Sequence, residues 1–142
     1  MQSLLILLLV LGFAEAATRF QSTTVNAQVV LRCKRPWDSR AEVFLMESDF
    51  DSNVVDEDDV MDFSRYEFGN VPESRLTLRG EEFEVSGLEP YIHITHSCGS
   101  EKNSYKTFRV DLMENMYKSR FFDVIVDLDN ETAKISSRLM FP

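Results

Sequence analysis

The chain is poor in the residues that small stapled or metal-built domains rely on. It has two cysteines, two histidines, five glycines and four prolines in 142 residues. No Cys-x-x-Cys pair occurs, which excludes a four-cysteine zinc site. One bridge at most is too few to scaffold a miniprotein, so a hydrophobic core has to hold the fold. The Gly-x-Ser-x-Gly elbow that presents a hydrolase serine is also absent. Basic residues are short, with 15 Lys and Arg against 24 Asp and Glu, giving a net charge of −9. An acidic surface repels phosphate backbones and excludes nucleic acid as a partner. There is no internal repeat and no low-complexity linker. Apolar residues at helical spacing are missing except for a weak one- or two-turn candidate at residues 113–119.

The length fits one domain. At the amino end an apolar run over residues 4–11 leads to Gly12, Phe13 and the small-residue site Ala14-Glu15-Ala16. This is the pattern of a secretory signal peptide covering residues 1–16, cut before Ala17. The run is too short to cross a bilayer, which takes about 20 residues, and no later stretch approaches that length. Residues 17–24 are read as a loose polar lead and residues 25–142 as the folded domain. In an exported chain an even cysteine count suggests one disulfide, Cys33 with Cys98; two buried thiols or pairing with another chain are the alternatives.

The rest of the chain alternates with period two. Val25, Ala27, Val29, Leu31 and Cys33 share one parity, opposite Asn26, Gln28 and Arg32, with Val30 as the exception. Residues 35–39 read as a turn around Pro36. Residues 42–47 form a second strand that is apolar on both parities through Val43, Phe44, Leu45 and Met46. The acidic residues 49–62 break the pattern and are expected to be a solvated, poorly ordered loop. Short strands are expected at 75–78 and 83–85 around Gly80. In residues 91–98, Ile92, Ile94, His96 and Cys98 face one way, and Tyr91, His93, Thr95 and Ser97 the other. Phe108, Val110 and Leu112 mark the next strand, then Phe122, Val124, Val126 and Leu128. A last strand holds Ala133, Ile135, Leu139 and Phe141. About seven or eight short strands without intervening helices predict an all-β antiparallel sandwich. The expected core is Val29, Leu31, Ile92, Ile94, Phe108, Val110, Phe122, Val124 and Val126.

The order of these pieces resembles the nematode-type transthyretin-like family of small secreted proteins. The matching segments are Val29-Val30-Leu31-Arg32-Cys33, residues 43–47, Asp58-Asp59-Val60, Leu76-Thr77-Leu78-Arg79-Gly80, and Phe122-Asp123-Val124. The strongest is Glu89-Pro90-Tyr91-Ile92-His93-Ile94-Thr95-His96-Ser97-Cys98, which is similar to the family's acid-Pro-x-apolar-x-Ile-x-His-x-Cys strand. Family members often carry four cysteines, so this chain looks like a divergent member. The resemblance implies a transthyretin-like, immunoglobulin-like β-sandwich that is secreted and non-enzymatic, needs no cofactor, and acts as an extracellular binding or cell-surface signalling module. Its partner would be an extracellular protein, a lipid or a small apolar ligand, with oligomeric state open. A secreted hydrolase resembling the hydroxyisourate hydrolases is the alternative. It is disfavoured because the chain ends Leu139-Met140-Phe141-Pro142 in place of Tyr-Arg-Gly-Ser.

Individual motifs carry less. His93 and His96 are three apart on a strand and point to opposite faces, so they cannot jointly hold a metal. His96 is expected to be a core histidine hydrogen-bonded to backbone beside a disulfide. Asp49-Phe50-Asp51-Ser52-Asn53 opens like an EF-hand loop, but Val54 stands where Gly is required and Val60 where the bidentate Glu belongs. A looser calcium site on Asp56, Asp58 or Asp59 is weighed against a plain acidic loop, and the plain loop is preferred. Asn130-Glu131-Thr132 is a glycosylation sequon at a predicted turn. Lys102, Lys106, Arg109, Lys118 and Arg120 gather in sequence and would suit an anionic lipid or sulfated sugar if they met in space. Ordinary solvated charge is the preferred reading.

Overall fold

A computed structural model describes residues 22–48, 58–83, 87–99 and 104–141. Eight strands follow in order: β1 (Thr23–Arg32), β2 (Arg40–Glu47), β3 (Asp59–Glu67), β4 (Glu73–Glu82), β5 (Pro90–His96), β6 (Lys106–Asp111), β7 (Arg120–Asp127) and β8 (Thr132–Leu139). They form two four-stranded sheets, β4-β1-β7-β8 and β3-β2-β5-β6. Among the described residues there is no helix long and apolar enough to cross a membrane. The amino-terminal segment, cleavage before Ala17, Asp56 and most of the acidic stretch lie outside the described residues.

Period-two alternation builds the sandwich. Val25, Ala27, Val29 and Leu31 of β1 are fully buried, as are Val43 and Leu45 of β2, Ile92 and Ile94 of β5, and Phe122, Val124 and Val126 of β7. All the expected core residues face inward; Phe108 is only partly buried because it lies on the edge strand β6. The two sheets are joined covalently by Cys33 and Cys98, whose Cα atoms are 5.7 Å apart across a sequence separation of 65. The turn after Cys33 closes with Ser39 N–H donating to the Pro36 carbonyl.

Several expectations are corrected. The sheets are not wholly antiparallel, because β1 runs parallel to β7 while pairing antiparallel with β4 on its other side. Residues 59–62 are not loop: they begin β3, a strand the sequence reading missed. A register shift between Leu45 and Met46 explains the miss. Met61 is the extra residue there, so the apolar alternation changes parity within the strand. Gly80 does not separate two short strands but lies inside β4. A Cβ there would sit 2.6 Å from the Met61 Cβ, so glycine makes room where β3 folds over β4. Residues 113–119 are not helical. Met116 forms an isolated bridge with Leu88, and both are buried.

Candidate functional site

Apolar residues on both faces of β2 draw attention to the outside of the β3-β2-β5-β6 sheet. Directly paired residues share a face, so the register lays this surface out in rows. Val60, Met46, Tyr91 and Asp111 lie side by side. Phe63, Phe44, His93 and Arg109 make the next row, and Arg65, Glu42, Thr95 and Thr107 the third. The Phe44 and Phe63 rings are 4.6 Å apart, and His93 meets Phe44 edge-on at 6.3 Å. Val60 is 58% exposed and Phe63 46% exposed, so the apolar centre is open to solvent.

One border of this centre is fixed by a polar cluster. The Tyr91 O–H donates to Asp58 Oδ2 at 2.5 Å. The Arg109 guanidinium lies 3.6 Å above the Tyr91 ring, with Nη1 3.9 Å from Asp58 Oδ2 and Nε donating to Asp111 Oδ1. The arginine covers most of the ring, and Tyr91 is only 5% exposed although it is on the outer face. Burial, then the hydrogen bond to Asp58, pushes the Tyr91 phenol up to about 12. It is therefore a neutral donor at any physiological pH and not a base. The opposite border is the Arg65–Glu42 pair, 2.5 Å apart.

Other sequence candidates do not meet on this surface. His96 points into the core and is fully buried, edge-on to Phe108 at 5.9 Å. The expected backbone hydrogen bond is not formed: neither ring nitrogen finds a partner among the described residues. Burial holds its pKa below the ordinary histidine value. Cys33, Cys98 and Asp129 bring ligand atoms within 4.8 Å of one another. The sulfurs are bonded to each other, so neither presents a thiolate to a metal. Asp58 is engaged by Tyr91, while Asp59 is exposed opposite Glu47. The two do not form a metal-sized group of acids among the described residues. Asn130 is exposed at the β7–β8 turn, its Nδ2 donating to Asp127 Oδ2 at 2.8 Å. Lys102 lies outside the described residues, and Lys106, Arg109 and Arg120 do not form one patch. Lys106 faces Glu131 at 3.9 Å, Arg109 is held on Tyr91, and Arg120 Nη1 donates to Ser137.

Transthyretin-like protein 16 of Caenorhabditis elegans is 35% identical over 103 residues, covering 72% of this chain and 70% of that protein. The chain belongs to the transthyretin-like family. Transthyretin-like protein 1 of the same organism is 30% identical over 98 residues, covering 66% of this chain and 59% of that protein. No family model matches the chain. A solved structure of the Streptococcus suis cytotoxin suilysin is a remote likeness, with 9% identity, a TM-score of 0.33, and coverage of 85% of this chain and 24% of that one. The open aromatic centre with its pinned Asp58–Tyr91–Arg109 border is the candidate site of this transthyretin-like chain. The signal that could have found it was present in sequence as the failure of β2 to alternate. Phe63 and Val60 were hidden by the shifted register of β3.

Proposed function

We propose that this protein is a secreted, non-enzymatic member of the transthyretin-like family that binds an extracellular protein through the outer face of β3-β2-β5-β6. The observation that carries the reading is an exposed Phe63 and Val60 packed beside Phe44 and Met46, where a solvated sheet face would be polar. An apolar, aromatic centre ringed by charged pairs is how protein interfaces are built, with the aromatic anchors supplying most of the energy. A flat sheet surface suits a protein better than a small ligand, which takes a concave site. Export is supported by the amino-terminal apolar run and by the disulfide, which needs an oxidising compartment. The same route makes Asn130 a glycan acceptor at an exposed turn, away from the aromatic face.

Affinity capture on intact cells with the oxidised mature protein tests the reading, with Phe63→Ser and Val60→Ser compared against wild type. Loss of capture by variants that keep the wild-type melting profile is the expected result. Undiminished capture removes the outer face from the function. Capture that survives protease treatment of the cells, and is reproduced by protein-free lipid vesicles, replaces the protein partner with a lipid.

A further inference from the structure

The four edge strands of the sandwich are not treated alike. On one side β3 and β4 close over each other: Arg79 N–H donates to Asp62 Oδ2 at 2.8 Å, and Met61 covers Gly80. On the other side β6 and β8 are the outer strands of their sheets. β8 pairs with β7 without interruption from Arg120 opposite Leu139 to Asp127 opposite Thr132. Its second edge has no strand partner among the described residues. It contains no proline and shows no register shift with β7, so of the devices that ordinarily blunt an edge it uses charge alone, through Lys134 and Arg138. Its core-side residues are also left uncovered: Ile135 is 40% and Leu139 37% exposed, although their row partners Val124 and Val25 are buried.

The charges on β8 restrict what can pair with it. Lys134 and Arg138 stand on its outer side, Arg138 with Nη1 donating to Asp123 Oδ2 of β7 at 2.8 Å, and β8 itself has no acid between Thr132 and Leu139. A second copy aligned antiparallel about Ser136 would set Lys134 directly opposite the partner copy's Arg138. In the register centred on Ile135 the two cations become diagonal neighbours. Like charges so placed oppose pairing. We propose that β8 is a docking edge for an extended acidic segment of a partner protein, added as a ninth strand. In such a segment, acidic residues would oppose Lys134 and Arg138, and alternate apolar residues would lie against Ile135 and Leu139. This edge is separate from the aromatic face, and either can fail without the other.

The test uses the mature, oxidised chain with two synthetic peptides that alternate Val with Glu or Val with Lys. Affinity is measured by calorimetry, and the site is mapped by amide hydrogen exchange. The Glu peptide should bind about tenfold more tightly than the Lys peptide, as expected for two cross-strand charge pairs. New protection should fall on residues 132–139. Lys134→Glu combined with Arg138→Gln, both at exposed positions, should erase that preference while leaving the melting temperature near wild type. Equal affinity for the two peptides, no binding of either at millimolar concentration, or protection confined to other strands would overturn the proposal. So would a homodimer in sedimentation equilibrium protected along β8.

Discussion

The outer faces of the two sheets have opposite character. On β4-β1-β7-β8 the rows read Thr77, Gln28, Asp123, Ser136 and then Arg79, Asn26, Phe121, Arg138. The charges are paired at the surface, Arg32 with Glu73 at 3.0 Å and Arg138 with Asp123 at 2.8 Å. Such exposed pairs contribute little stability and serve mainly to keep the face wet. On β3-β2-β5-β6 the equivalent position is taken by Val60, Phe63, Phe44 and Met46. Both sheets bury the inner faces of their central strands, so core formation does not explain the difference. On the outer side of β1, Val30 beside Ile125 is the one apolar exception between Asn26, Gln28 and Arg32, whereas β2 places both Phe44 and Met46 there next to Phe63 and Val60.

The comparison is tested first at the link between the sheets. Replacing Cys33 and Cys98 with Ser together should lower stability by about 4 kcal/mol on the chain-entropy account of a 65-residue separation, read from denaturant unfolding. Next come inner and outer positions on one strand. Ile94→Ala, fully buried in β5, should cost about 2–5 kcal/mol, whereas Thr95→Ala beside it on the outer face should cost under about 1 kcal/mol. Equal costs would mean that the outer face is structural. Tyr91→Phe removes the donor to Asp58 and should cost about 1 kcal/mol. An ultraviolet titration of the wild-type protein should show one tyrosine ionising near 12, and that component should be missing from the variant.

A further contrast is between His93 on the outer face and His96 inside. The folded-state pKa of His96 lies below the ordinary value, so as pH falls the unfolded chain takes up the proton first. Its contribution to stability is complete above about pH 6.5 and is lost below it. The melting temperature should fall between about pH 7.5 and 5.5. The slope in that window should flatten in His96→Leu and persist in His93→Leu. Persistence in both would assign it to other groups. The smallest stability change is expected for Phe63→Ser, within about 1 kcal/mol of wild type, even where it abolishes binding.

Most of the sandwich was legible because inner-facing residues such as Val25, Val29, Ile94 and Val124 obey one rule, the period of a strand. The illegible parts break that rule locally. Met61 shifts the parity of β3, so residues 59–62, the end of an acidic run that looks like loop, begin an edge strand that carries Val60, Phe63 and Tyr66. Gly80 looks like a break, yet it is a strand residue under the Met61 side chain. The parallel pairing of β1 with β7 leaves no trace in either strand's pattern, since both alternate identically whichever way a neighbour runs. Of the candidate surface, Phe44 and Met46 were visible as unexpected apolar residues on β2. The stacking of Arg109 on Tyr91 depends on a pairing between β5 and β6 that spacing alone does not reveal.

That β1 lies between β4 and β7 also sets an order of events during synthesis. β1 is the first of these strands to emerge, and its β4 flank is complete once Glu82 has been made. The β7 flank begins at Arg120, so the parallel side of β1 stays bare until residues 120–127 have been made. At roughly 5–20 residues per second this is an interval of several seconds in which a central strand has an open edge. Truncated chains that stop before Arg120 would keep that edge permanently. They should be aggregation-prone, even though they contain both cysteines and the entire β3-β2-β5-β6 sheet.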